Sequence, residues 1–115
     1  MSPFSLPTSE QTALDTVVAR LVEGLDPEAI FLFGSRARGT ARADSDFDLL
    51  VVTRSEDGEA AYDHDRAYAP LLGSGIGCDV VPCPKHDFDA EKQLPTSLCY
   101  EAYRHGRKLH ERPII

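Results

Sequence analysis

The sequence predicts an α/β (α+β) protein with a small mixed β-sheet flanked by helices. Apolar residues recur at helical spacing near the N terminus, and short continuous apolar runs follow in the middle of the chain. The order of these patterns is helix, strand, strand, helix, strand, helix, which is typical of a sheet with helices packed on it. A chain of 115 residues buries one core and not two, so we expect a single domain over residues 1–115.

The first half of the chain contains one helix and two strands. Residues 29–33 form a continuous run of branched and aromatic side chains that predicts a strand covered on both faces. A polar, arginine-rich connection over residues 34–45 leads to a second strand at 47–53. Before these strands, residues 8–25 place six apolar side chains on one face of a helix: Leu14, Val17, Val18, Leu21, Val22 and Leu25.

The second half predicts a helix, a strand and a closing helix. Residues 58–72 carry apolar and aromatic side chains at helical spacing until a glycine-rich break. Residues 76–81 predict a third strand, which we expect to stop at Pro82 and Pro84 because proline cannot continue a central ladder. Residues 97–104 predict the last helix, which ends before a glycine and a short basic tail.

Composition and charge narrow the classes of function. The hydrophobic fraction of 42% and the charged fraction of 27% are ordinary for a soluble globular protein. No apolar run approaches the roughly 20 residues that span a bilayer, and the first residues do not resemble a secretory signal, so we expect no membrane association and a cytoplasmic location. A net charge of −7 disfavours a long nucleic acid as partner, whereas a small anionic ligand is compatible if positive charge is local.

The cysteines Cys78, Cys83 and Cys99 are odd in number in a chain without an export signal. This argues against a disulfide framework and favours buried thiols. Cys78 and Cys83 are not spaced like a zinc knuckle.

Asp46 and Asp48 are separated by one residue at the start of the second strand, and strand residues two positions apart point to the same face, so we expect their carboxylates to be neighbours. Two neighbouring acids repel each other unless a cation lies between them, and Mg²⁺ prefers such oxygen ligands. Asp79 lies inside the third apolar strand, where an unpaired carboxylate is costly. If the two strands are neighbours, Asp79 joins the pair around one or two metal ions. The alternatives are a solvated turn for the pair and a water-facing edge position for Asp79.

Gly34 and Ser35 directly follow the first strand, where their backbone amides and the Ser35 hydroxyl can approach a phosphate closely. Arg36, Arg38 and Arg42 concentrate positive charge in the loop that follows, and arginine holds phosphate oxygens by paired hydrogen bonds. An ordinary tight turn and a solvated surface loop would also explain these residues.

The segment Gly34-Ser35-Arg36-Ala37-Arg38-Gly39, followed by Ser45-Asp46-Phe47-Asp48-Leu49, resembles the signature of the DNA polymerase beta-like nucleotidyltransferase superfamily. The short chain looks most like the minimal nucleotidyltransferases, which often accompany a HEPN-domain toxin as antitoxins. The resemblance covers most of the chain, and residues 97–109 are similar to the closing helix and final strand of such proteins.

The resemblance implies a polymerase beta palm-like fold and a Mg²⁺-dependent transfer of AMP from ATP to a tyrosine hydroxyl of a HEPN-domain partner. Asp46, Asp48 and Asp79 would be the catalytic metal ligands. Gly34, Ser35, Arg36, Arg38 and Ser45 would bind the nucleotide. Because larger relatives carry an additional substrate domain, we expect the acceptor protein to supply its own recognition surface and to form a hetero-oligomer with this chain. Two alternatives are an antitoxin that acts by binding alone and a transferase that acts on a small molecule.

Overall fold

A computed structural model describes residues 8–39 and 46–113, and it confirms the predicted mixed sheet flanked by helices. None of the helices in these two ranges combines the length and the apolar character that crossing a bilayer requires. The α-helices are α1 (Thr8–Leu25), α2 (Gly34–Arg38), α3 (His64–Tyr68), α4 (Lys85–Glu91) and α5 (Leu98–His105), and the strands are β1 (Ala29–Phe33), β2 (Phe47–Thr53), β3 (Cys78–Pro84) and β4 (Arg107–Glu111).

The four described strands are arranged in the order β3-β2-β1-β4. β1 pairs antiparallel with both β2 and β4, whereas β2 and β3 run parallel. The parallel pair places the starts of β2 and β3 at the same end of the sheet. Both strands carry predicted site residues near their starts.

Apolar side chains cover both faces of the sheet, as the continuous apolar runs predict. On one face, which we call the α1 face, Leu14, Val17 and Leu21 pack with alternate residues of the strands such as Leu32 and Leu49. On the other face, which we call the α5 face, the buried residues are Ala29, Phe31, Leu50, Val52, Cys83, Phe88, Cys99 and Ala102.

The predictions for α1, β1 and β2 are confirmed at both ends of each element. The predicted helix over residues 58–72 is wrong in its continuity: a 3₁₀ segment (Ser55–Tyr62) precedes α3, and a second one (Ala69–Leu71) follows it. Gly58 has a φ of +63°, which interrupts any helix through this position. Asp63 then starts α3 by accepting hydrogen bonds from the backbone amides of Asp65 and Arg66. The sequence pattern did not predict α4.

The prediction that Pro82 and Pro84 end β3 is also wrong, because both lie within the strand, opposite Val51 and Thr53 of β2. Among the described strands, β3 has a neighbour on one side only. Proline lacks a backbone N–H and is tolerated where that position faces away from the ladder. The prolines therefore fit an edge strand, and the prediction treated the strand as a central one.

Candidate active site

Asp48 and Asp79 face each other across the two parallel strands. Asp48 is the second residue of β2, Asp79 is the second residue of β3, and the two are register partners. Their side chains share the α5 face, since Leu50 and Val52 continue the alternation of Asp48 along β2. The hypothesis that the third predicted strand lies beside the second is confirmed by this pairing. Asp46 lies two residues before Asp48, and its side chain contacts the position before β3 at Gly77.

The charges of these acids act on one another. Asp46 and Asp79 are exposed, whereas Asp48 is half-buried. Burial raises the pKa of the Asp48 carboxyl above its ordinary value of 3.8, and the negative charges of Asp79, Asp46 and Glu101 raise it further. The nearby Arg38 guanidinium acts in the opposite direction and lowers this pKa. The ionised form of Asp48 is therefore short of compensating positive charge, and a cation at this position would supply it.

Two glycines lie directly against the carboxylates. Gly34 has a φ of +73°, and a Cβ atom at this position would collide with the Oδ2 atom of Asp48. A Cβ atom at Gly77 would likewise collide with the Oδ1 atom of Asp46. Gly77 is further tied to β2 because its carbonyl accepts a hydrogen bond of 3.0 Å from the Phe47 amide. Gly77 was not predicted as a site residue, although a glycine directly before the strand that carries Asp79 indicates a close approach of the backbone to an acid.

The predicted loop after β1 begins with the short helix α2, which ends at Gly39 in a left-handed conformation with a φ of +76°. Ser35 is half-buried in the first turn of this helix. Because Gly34 contacts Asp48, the start of α2 lies next to the acids, as the resemblance requires. Ser45 and Arg42 of the same predicted loop lie outside the described residues.

Arg36 does not face the acids. Its side chain is buried, forms an ion pair of 2.8 Å with Glu10 of α1, and lies 4.5 Å from the ring centroid of Phe47. Phe47 belongs to the α1 face, so the Arg36 guanidinium is directed away from the aspartates. The structure thus gives Arg36 a packing and ion-pairing role on the α1 face, and its phosphate contact stays a prediction.

Arg38 lies on the side of the acids. Its guanidinium is 3.5 Å from the Glu101 carboxylate, and its side chain is 52% exposed, so it is accessible to a ligand. Both residues act on the pKa of Asp48 with opposite sign. Glu101 was not predicted, because it comes from α5 and only tertiary packing brings it near the starts of β2 and β3.

The donor set fits a divalent cation. The carboxylates of Asp46, Asp48 and Asp79 are hard oxygen ligands of the kind that Mg²⁺ prefers. Their ligand atoms are not all within 4.8 Å of one another, and the set of described residues that does meet this limit lies elsewhere in the fold. Neighbouring strands are about 4.8 Å apart, so rotamer changes alone can bring the Asp48 and Asp79 carboxylates to one ion.

Cys78 lies beside the acids on the buried side of β3. Burial and the negative charges of Asp46 and Asp79 raise the pKa of the Cys78 thiol to about 11. This thiol is neutral near pH 7, which argues against a role as nucleophile. The prediction of buried thiols is confirmed for all three cysteines.

Comparisons with known proteins agree with this geometry. A search of curated proteins found no match. A crystal structure from Sulfolobus solfataricus, provisionally assigned as a nucleotidyltransferase, superimposes with a TM-score of 0.59 at 16% identity and covers 94% of this chain and 91% of its own. This similarity shows a shared fold. The family model described as "Nucleotidyltransferase domain" matches residues 14–108, which include Asp46, Asp48, Asp79 and Glu101. The chain therefore belongs to the nucleotidyltransferase domain family.

Proposed function

We propose that this protein transfers AMP from ATP to a tyrosine hydroxyl of a partner protein, a HEPN-domain toxin, and that it acts as the antitoxin. The observation that carries the proposal is the register pairing of Asp48 with Asp79, which places two carboxylates side by side at the mouth of the sheet. Family membership supports nucleotidyl transfer in general. The finer assignment depends on the resemblance to minimal nucleotidyltransferases.

In this proposal Asp46, Asp48 and Asp79 hold Mg²⁺, which when bound neutralises charge on the triphosphate. Gly34 and Ser35 contact the phosphates from the start of α2, and Arg38 reaches them from the solvent side. Of the two predicted loop arginines within the described residues, Arg38 thus belongs to the proposed nucleotide site and Arg36 does not.

The transfer forms a bond between the acceptor oxygen and the α-phosphorus and breaks the bond from that phosphorus to the bridging oxygen of pyrophosphate. Asp79 is exposed and lies at the edge of the acid cluster, where it can accept the proton of the acceptor hydroxyl. Pyrophosphate leaves, and the product is an AMP ester of the partner.

The net charge supports a protein acceptor over a polynucleotide. A protein with a net charge of −7 repels the phosphate backbone that supplies most of the affinity in nucleic-acid complexes. The positive charge of Arg38 next to the acids is local and suits a single triphosphate.

The test is to mix the purified protein with the product of the neighbouring gene, which we expect to be a HEPN-domain protein, together with Mg²⁺ and ATP labelled in the α-phosphate. We expect label on the partner and an AMP-modified tyrosine in its mass spectrum. Asp48→Asn should remove the label. Asp15→Asn is the matched control, because Asp15 is an exposed acid of α1 that bonds only locally to Gln11 at 2.8 Å.

The competing functions give different results in the same experiment. If no label reaches the partner and Asp48→Asn still silences the toxin, the protein acts by binding and the enzymatic proposal fails. If, after a cell extract is added to this reaction, label appears in a small molecule and not on the partner, the proposed acceptor is wrong and the transfer chemistry stands.

A further inference from the structure

A second group of metal-ligating side chains lies away from the aspartates, where α4 and α5 meet β3. Cys83 is near the end of β3, Glu91 is the last residue of α4, and Cys99 is in the first turn of α5. The two Sγ atoms are 3.5 Å apart. One carboxylate oxygen of Glu91 lies with both sulfurs inside a limit of 4.8 Å.

The two thiols are shielded from solvent. Cys83 and Cys99 are 8% and 5% exposed and belong to the apolar cluster of the α5 face, together with Phe88 and Ala102. Glu91 is half-buried, and no described residue forms an ion pair with its carboxylate. A carboxylate beside two sulfurs at a protein interior leaves negative charge that a cation can offset.

The spacing of the sulfurs fits a shared metal ion. Two thiolates bound to a tetrahedral zinc at about 2.3 Å each are separated by roughly 3.8 Å. The observed 3.5 Å is close to this value. A disulfide would require a separation of about 2.05 Å.

The chemistry of the ligands separates this group from the aspartate cluster. Burial raises the pKa of both Cys83 and Cys99, so the thiols keep their protons when no metal is present. Mg²⁺ prefers oxygen ligands and does not displace such protons, whereas soft thiolates select ions such as Zn²⁺.

We propose that Cys83, Cys99 and Glu91 form a thiophilic metal site that binds Zn²⁺, with water as the remaining ligand. The ion would fasten the end of α4 and the start of α5 to β3. Because α5 also carries Glu101, the site would fix the helix that contacts Arg38 beside the acids. The inference does not depend on the identity of the acceptor.

The test uses the full chain, reduced and stripped of metal by a chelator, and titrated with Co²⁺ as a spectroscopic substitute for Zn²⁺. We expect a sulfur-to-cobalt charge-transfer band that saturates at one sulfur-bound Co²⁺ per chain, and Zn²⁺ should remove the band by displacement. Cobalt bound by the aspartates alone would lack this band.

Variants assign the ligands. Cys83→Ser and Cys99→Ser should weaken binding by more than about 100-fold, since even loss of a residue that only supports a ligand costs about 10–100-fold. Cys78→Ser is the matched control, because Cys78 is a buried thiol of the same strand on the opposite face, and it should leave the band unchanged. Glu91→Gln removes a half-exposed ligand with little risk to folding and should weaken binding about 10-fold or more.

Absence of the charge-transfer band in the wild-type protein would overturn the proposal, as would a band that persists in both Cys83→Ser and Cys99→Ser. If either serine variant fails to fold, Glu91→Gln decides: unchanged affinity in this variant removes the carboxylate from the site and refutes the proposed ligand set.

Discussion

Replacing Gly34 by alanine tests whether the glycine after β1 holds the carboxylate of Asp48 in place. Gly34 has a φ of +73°, where an alanine costs about 1 kcal/mol of strain. The new Cβ atom would also collide with the Oδ2 atom of Asp48, so the carboxylate must move. Gly73→Ala is the matched control, because Gly73 has a φ of +80° and no atom of the described residues lies within 4 Å of its added Cβ.

Both variants therefore carry similar backbone strain, and only one displaces an acid. A loss of about 1 kcal/mol lowers the midpoint of thermal unfolding by roughly 4 °C in a domain of this size. We expect this loss in Gly73→Ala, with unchanged Mg²⁺-dependent ATP binding and label transfer. Gly34→Ala should lose more stability than this. Its transfer rate should fall by about 100-fold, because a misplacement of about 1 Å at a reacting centre has a cost of this size.

The assay measures thermal unfolding by circular dichroism, ATP affinity by calorimetry with Mg²⁺ present, and transfer of label to the acceptor. Calorimetry requires no acceptor and so gives a result even if the partner is misidentified. Equal ATP affinity and equal transfer in Gly34→Ala and Gly73→Ala would refute the argument that contact with Gly34 positions Asp48.

Three further predictions concern charges around the site. In metal-free protein, the contribution of Asp48 to stability is complete below its ordinary pKa of 3.8 and is lost as pH rises through its raised folded pKa. Asp48→Asn should therefore gain stability relative to wild type over that pH interval, as measured by urea unfolding at a series of pH values. Arg36→Met should lower the free energy of unfolding by about 2 kcal/mol in the same measurement, because it leaves the Glu10 carboxylate without its 2.8 Å partner. It should bind ATP normally below its unfolding temperature, and a loss of ATP affinity would show that Arg36 belongs to the nucleotide site. Arg38 lowers the pKa of Asp48, so Arg38→Gln should shift the acidic limb of the pH–rate profile to higher pH. Glu101 raises this pKa, so Glu101→Gln should shift the same limb to lower pH. Shifts of both variants in the same direction would contradict this reasoning.

Local patterns predicted the acids better than they predicted the arginines. The strand repeat of two predicted Asp46 and Asp48 as neighbours, and in the structure the charge of Asp46 acts on the pKa of Asp48. The same repeat could not show that β3 lies beside β2, since strand order depends on packing of the whole chain. The pairing of Asp48 with Asp79 was therefore a conditional hypothesis until the register was known.

The arginines of the loop looked equivalent in sequence. In the structure Arg36 and Arg38 belong to α2, where residues two apart point roughly 200° away from each other around the helix axis. Arg36 consequently pairs with Glu10 on the α1 face, while Arg38 reaches Glu101 on the α5 face. A turn of helix only five residues long has too few positions for periodicity to reveal it, so this division could not be predicted.

The prolines of β3 have a consequence for how this protein coexists with other chains. An exposed strand edge is a template for unwanted pairing with a second molecule, and such pairing leads to aggregation. Pro82 and Pro84 offer no amide hydrogen to an incoming strand, and Asp79 adds a charge near the start of the same edge. The border of the sheet next to the acid cluster is therefore a poor template for another strand, which keeps the space in front of Asp79 open to an acceptor.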